Sequence, residues 1–233
     1  MINRKFFFDQ VRATLYTGKL TKDQVSGLTH ILDIWEAMPA PKDDRWLAYA
    51  LGTAHHETAF TMQPIRERGG AAYFFRMYDP QSPLPNRAKL AKSMGALPGD
   101  GVIFYGRGYV QLTWRTNYKK METVFGTNLT SNMAAADGAL DPSLAAKIMF
   151  KGMTDGIFTG RKFAQYFNAT TEDWVNARRI INGLDCATKI AEYAKGFYAA
   201  MSDPVERRPH LSRTRAARVS IEKGVARFDR APV

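Results

Sequence analysis

Asp43-Asp44-Arg45-Trp46-Leu47-Ala48-Tyr49-Ala50-Leu51-Gly52-Thr53-Ala54-His55-His56-Glu57-Thr58 is the stretch on which the reading of the fold turns. The acidic pair Asp43-Asp44 follows the break at Pro39-Ala40-Pro41 and is placed to cap a helix. Leu47, Ala50, Leu51, Ala54 and Thr58 then recur at helical spacing and predict a buried stripe. Glu57 falls almost directly above Ala50, two turns further along. Its carboxyl is therefore expected on the flank of that stripe, where desolvation raises a carboxyl pKa.

Helical signals continue on both sides. Thr21-Lys22-Asp23-Gln24 has the capping-box pattern, and Val25, Leu28, Ile31, Leu32, Trp35 and Met38 follow as one apolar stripe. Phe7, Val11 and Leu15 share a face of a shorter helix before it. Later helices are expected near 143–153, 172–181 and 187–201, with Gly183 placed to stop the second. Between them, residues 78–101 are rich in proline and glycine and read as a long surface excursion containing a helical candidate at 87–92. In Phe104-Tyr105-Gly106-Arg107-Gly108-Tyr109-Val110-Gln111-Leu112-Thr113, Val110 and Leu112 alternate with Tyr109, Gln111 and Thr113. That alternation predicts a short half-buried strand or extended loop. The pattern is mainly α, with a small β element near 102–113.

The chain has 233 residues, 45% hydrophobic and 24% charged, which suits one globular domain with a sizeable core. We expect that domain over 1–200, with a helical pair at 1–40 packing on it and a basic tail at 201–233. No apolar run approaches the ~20 residues of a membrane-spanning helix. Met1-Ile2-Asn3-Arg4-Lys5-Phe6-Phe7-Phe8 opens like a signal peptide, but Asp9, Gln10 and Arg12 interrupt it, so no cleavable secretion signal is expected. Cys186 is the only cysteine, which excludes an internal disulfide and suits synthesis in a reducing cytoplasm. The default reading of Cys186 is a small buried hydrophobe. The net charge of +11 favours polyanionic partners: nucleic acid, anionic membrane or anionic cell wall. One dense cluster (Arg207, Arg208, Arg213, Arg215, Arg218) reads as a solvated face or loose tail.

Glu67, in Pro64-Ile65-Arg66-Glu67-Arg68-Gly69-Gly70, is within reach of the same cleft as Glu57. Its neighbours Arg66 and Arg68 favour its ionised form, whereas Glu57 is the one expected to hold its proton. Two carboxylates in unequal surroundings can serve as acid and base at one pH, which is what cleavage of a glycosidic bond needs. The segment from Tyr105 to Trp114 adds glycines that permit close backbone approach, aromatic rings that stack on sugars, and polar groups. Gln111, Thr113 and Asn117 can hydrogen-bond hydroxyls, amides or a nucleophilic water.

His56-Glu57-Thr58, then Tyr105-Gly106-Arg107-Gly108 with Val110-Gln111-Leu112-Thr113 and Asn117-Tyr118, then Ile180-Ile181-Asn182-Gly183, resemble the ordered signature of family 19 glycoside hydrolases. These are chitinase-type enzymes that include many bacteriophage endolysins. The resemblance covers about residues 45–200. The opening Asn3-Arg4-Lys5-Phe6-Phe7 and its helical pair are similar to the phage and prophage lysozyme branch. The resemblance implies a lysozyme-like, two-lobed helical fold with Glu57 as general acid, Glu67 as general base and Thr113 holding the water. His56, Tyr105, Gln111, Asn117, Tyr118 and Asn182 would be substrate-binding residues. The family is inverting, which implies carboxyls roughly 6.5–9.5 Å apart with water between them. Plant members have disulfides, and an arginine before a Gly-Phe-Tyr that is here preceded by Ala194-Lys195. Both departures favour the shorter lysozyme-like branch and bacterial peptidoglycan as substrate.

Read this way, the chain is a muramidase-type hydrolase working without metal or organic cofactor, as a monomer and without stable membrane insertion. It would accumulate in a host cytoplasm and reach the wall through a separate holin-type pore. A chitinase, or a catalytically weak wall-binding protein of a phage particle, are the alternatives. His55-His56 lacks zinc-protease spacing, because position 60 is Phe60, and His30 and His210 add no ligand pattern. His56 is instead expected to buttress the helix or the catalytic loop. Gly106-Arg107-Gly108 lacks the third glycine of a nucleotide fingerprint. A nucleic-acid partner is not expected: no basic recognition helix is present, and paired acids would repel phosphate.

Overall fold

A computed structural model describes residues 2–201. The arginine cluster and His210 lie outside them. Helix α1 (Arg4–Thr14) and α2 (Lys22–Ala37) form the N-terminal pair. The capping box at Thr21 is formed: the Gln24 amide donates to Thr21 Oγ1 and the Thr21 amide donates to Gln24 Oε1. Leu28, Ile31, Leu32 and Trp35 of the expected stripe are buried, whereas Val25 is exposed.

Helix α3 (Asp44–Glu57) starts where Asp43 accepts the Arg45 amide. It buries more than one stripe, because every residue from Trp46 to His55 is enclosed. A helix that is apolar on all sides belongs inside the core, and α3 is the central helix. It lies against α9 (Ala187–Met201), closely enough that a Cβ at Gly52 would stand 2.7 Å from the Ala194 amide nitrogen. The small residues on this seam let the two backbones approach.

Glu67 is led in by β1 (Ile65–Arg66), and α4 (Ala71–Tyr78) and α5 (Pro85–Ser93) occupy the Pro/Gly-rich region and its approach. β2 (Arg107–Gly108) pairs antiparallel with β1, Ile65 opposite Gly108 and Arg66 opposite Arg107. The short strand or extended loop expected over 104–113 is β2 followed by a tight turn. Gly108 and Gln111 take positive φ, and Leu112 folds back to exchange hydrogen bonds with Arg107. Val110 and Leu112 consequently enter different cores.

Helices α6 (Arg115–Phe125), α7 (Met133–Ala136) and α8 (Pro142–Asp155) follow. The helix expected near 172–181 is only a 3₁₀ turn, Asn176–Ile180. Asp173 accepts both the amide and the side-chain Nδ2 of Asn176, and Glu172 bridges back to Phe167, so the preceding residues are extended. Two apolar cores result. The larger joins α1, α2, α3 and α9 with Phe163, Phe167 and Trp174. The smaller gathers Phe104, Leu112, Tyr118, Met121 and Leu129. Helix α8 gives Met149 to the first and Ile148 to the second.

Candidate active site

Glu57 is the last residue of α3, where four helix carbonyls lack helical partners and the helix dipole is negative. A carboxylate there needs a cation, and Arg178 supplies it, donating from a guanidinium nitrogen to Glu57 Oε1 at 2.7 Å. Arg178 is 3% exposed and also donates to the Asp185 carbonyl at 3.1 Å. The apolar flank expected for Glu57 is thus replaced by an ion pair. Spacing could not have revealed it, since Arg178 lies 121 residues away and, beside Arg179, looks like an ordinary solvated charge.

The chain from Glu57 to Glu67 is fixed by local bonds. Thr58 Oγ1 donates to the Ala54 carbonyl at 2.7 Å and accepts the Met62 amide at 3.1 Å. Gln24 Nε2 ties the Phe60 carbonyl to α2 at 3.0 Å. Ala59, Phe60 and Met62 all take positive φ, which costs of order 1–3 kcal/mol each for non-glycine residues. Such a link keeps its shape because its surroundings over-determine it.

Glu67 has neutral donors. Tyr78 and Tyr73 hydroxyls donate to Oε1 at 2.7 and 3.3 Å, and the Gly106 amide donates to Oε2 at 3.1 Å. The Glu67 amide in turn donates to the Gly106 carbonyl at 2.8 Å. A Cβ at Gly106 would stand 2.7 Å from Gln111 Oε1 and 3.1 Å from Glu67 Oε2, so a larger residue here would displace the ends of both side chains. The flanking arginines do not hold Glu67. Arg66 pairs with Asp137 at 2.7 Å, and Arg68 has no ion pair among the described residues. Burial and the bond to Glu67 both push the Tyr78 hydroxyl pKa up, so Tyr78 remains a donor across the neutral range.

Glu57 and Glu67 line one cleft of about 820 Å³. Gln111, Thr113, Asn117 and Asn182 line it too, as do Tyr78 and Trp114. Thr113 Oγ1 donates to the Gln111 carbonyl at 2.8 Å, and Asn117 Nδ2 donates to the Thr113 carbonyl at 3.0 Å. Gln111 Nε2 donates to the carbonyls of Ile65 and Gly108, both at 3.2 Å, which ties the turn to β1.

Three expected substrate contacts are elsewhere. Tyr118 is fully buried; its hydroxyl accepts from Arg107 and donates to the Tyr105 carbonyl. The Tyr105 ring is stacked between Phe74 (centroids 3.9 Å apart) and the Arg107 guanidinium, leaving no face for a sugar. Both tyrosines support the wall, because they and the buried Arg107 fix the backbone that presents the Gly106 amide. His56 stands beside Glu57 but outside the cleft lining, and burial lowers its pKa. Its neighbour His55 is enclosed by Tyr16, Phe60, Tyr193 and Phe197, and desolvation lowers its pKa to about 4. Cys186, expected to be buried, is exposed. Among the described residues no cluster of histidine, cysteine, aspartate or glutamate is arranged to hold a metal ion.

No family sequence model matches the chain, and no curated protein sequence matches it. Solved structures do. The chain is similar to a bacterial family 19 chitinase, with a TM-score of 0.51 and 19% identity over 86% of this chain and 95% of that one. It is also similar to chitinase C from Streptomyces griseus HUT6037, with a TM-score of 0.50 and 18% identity over 86% and 76% of the two chains. At such identities the likeness is one of fold, and it agrees with the helices, the small sheet and the cleft: the chain has a mainly α, lysozyme-like fold of the family 19 chitinase type.

Proposed function

We propose that this chain is an inverting glycoside hydrolase that cleaves β-1,4 bonds between amino sugars. The observation that carries this reading is that Glu57 and Glu67 line one cleft from different elements, one held by a cation and the other by neutral donors. Glu57 Oε1 accepts from Arg178 in the free chain, while Oε2 has no hydrogen bond among the described residues and is the oxygen that would take up a proton when a strand fills the cleft and pass it to the leaving oxygen. Glu67 accepts three bonds, and a carboxylate has about four acceptor sites. One site is left for a water. Thr113 already donates to the Gln111 carbonyl, so it meets that water as an acceptor. Water donating to both Glu67 and Thr113 turns a lone pair towards the anomeric carbon. As the C–O bond breaks, Glu57 protonates the departing oxygen and Glu67 takes the proton from the attacking water.

Bacterial peptidoglycan is the substrate we favour, since a net charge of +11 assists adsorption to an anionic wall. The biological setting would be that of an endolysin, held in a host cytoplasm as a monomer until a separate pore-forming protein gives access to the wall. The likeness to chitinases supports a second reading, in which N-acetylglucosamine polymers are cut. The inverting mechanism has a direct test in proton NMR of the first products. The new reducing end should appear as the α-anomer, and an initial β-anomer would refute inversion.

A further inference from the structure

Three arginines line the cleft: Arg66, Arg68 and Arg87. Arg66 is committed to Asp137 through two hydrogen bonds, and Glu57 has Arg178 as its own cation. The side chains of Arg68 and Arg87 form no ion pair or hydrogen bond among the described residues. The remaining acid, Glu67, is satisfied by two phenols and a backbone amide rather than by either of them. Arg87 lies on α5 and is half-buried, so packing constrains it. Its charge is felt at the Tyr73 and Tyr78 hydroxyls that hold Glu67, which places it close to the reacting end of the cleft.

Two guanidinium groups without counter-ions in a concave site generate a positive field that a neutral ligand would leave uncompensated. A guanidinium matches a carboxylate with two parallel N–H bonds. We propose that Arg68 and Arg87 are a carboxylate-binding edge of the cleft, selecting an amino-sugar strand that carries acidic substituents over a neutral strand. The proposal rests on the glycan-cleaving reading above and deepens it by naming the residues that set substrate class.

The test uses the full chain carrying Glu67→Gln, so that bound strands are not turned over. Glycan strands from bacterial sacculi are offered either with their carboxylates intact or with the same carboxylates converted to amides. We expect the intact strands to bind about tenfold more tightly, as expected for charge-assisted pairs partly exposed to water. With Arg68→Gln and Arg87→Gln added, the ratio should fall to about one, and added salt should shrink it in the parent chain. The exposed Arg68→Gln alone should lower the ratio part of the way, which keeps the test open if the combined variant does not fold. Equal binding of the two strands by the parent overturns the proposal, and so does an equal loss for both strands in the arginine variants. Either result leaves the hydrolase reading intact if the unsubstituted chain still cuts. Absence of both binding and cutting overturns both readings.

Discussion

At the scale of single residues, the expectation that Glu57 and Glu67 border one cleft matches the structure, but their surroundings were not legible in the chain. Arg178 replaces the apolar flank expected at Glu57, and this changes what a substitution there should do. Glu57→Ala leaves the nearly buried Arg178 without its anion, and breaking such a pair costs about 3 kcal/mol. Glu57→Gln retains an acceptor and should cost about 1 kcal/mol. Urea unfolding of the two variants measures the difference; equal stabilities would show that the pair contributes nothing. His55 gives a pH prediction. Its folded pKa of about 4 lies below the usual value near 6.5, so the unfolded chain binds the proton more readily. This stability is fully present above about pH 6.5 and is lost as pH falls towards 4, by up to about 3 kcal/mol. His55→Gln should flatten the unfolding midpoint between those pH values, and an unchanged slope would assign the loss to other groups.

The capped helices α2 and α3 were read correctly, as was α9, whereas α6 was missed. The capping box of α2 and the Asp43 cap of α3 are short-range patterns visible in the chain. Helix α6 has no capping side chain, follows Trp114 at φ 77°, and buries only Asn117, Tyr118 and Met121. The extent of burial around α3 was also invisible, because it depends on partners from both ends of the chain. The α3–α9 seam provides the prediction at this scale. A methyl at Gly52 would press on the backbone of Ala194. Overpacking against backbone costs about 3 kcal/mol, against about 1 kcal/mol gained in helix propensity. Gly52→Ala should therefore lose about 2 kcal/mol in thermal or urea unfolding, and a stabilised variant would contradict the packing described.

For the whole molecule, the sequence motifs and the fold agree through different residues than expected. The segment from Tyr105 to Tyr118 was read as a sugar-binding surface. Its Gln111, Thr113 and Asn117 do reach the cleft, whereas its tyrosines are enclosed and support the wall. A motif marks a segment that is needed; only packing tells which side of the wall each residue occupies. The excursion over 78–101 contributes Arg87, Leu90 and Met94 to the cleft, which its composition alone did not indicate.

The most direct measurement is the release of reducing ends from purified amino-sugar strands by the unsubstituted chain, Glu57→Gln and Glu67→Gln, each first shown to be folded. General acid and base groups each contribute about 10²–10⁴-fold, so each variant should lose at least about a hundredfold in kcat while keeping its affinity for the strand. Cutting by either variant at the unsubstituted rate would contradict the account.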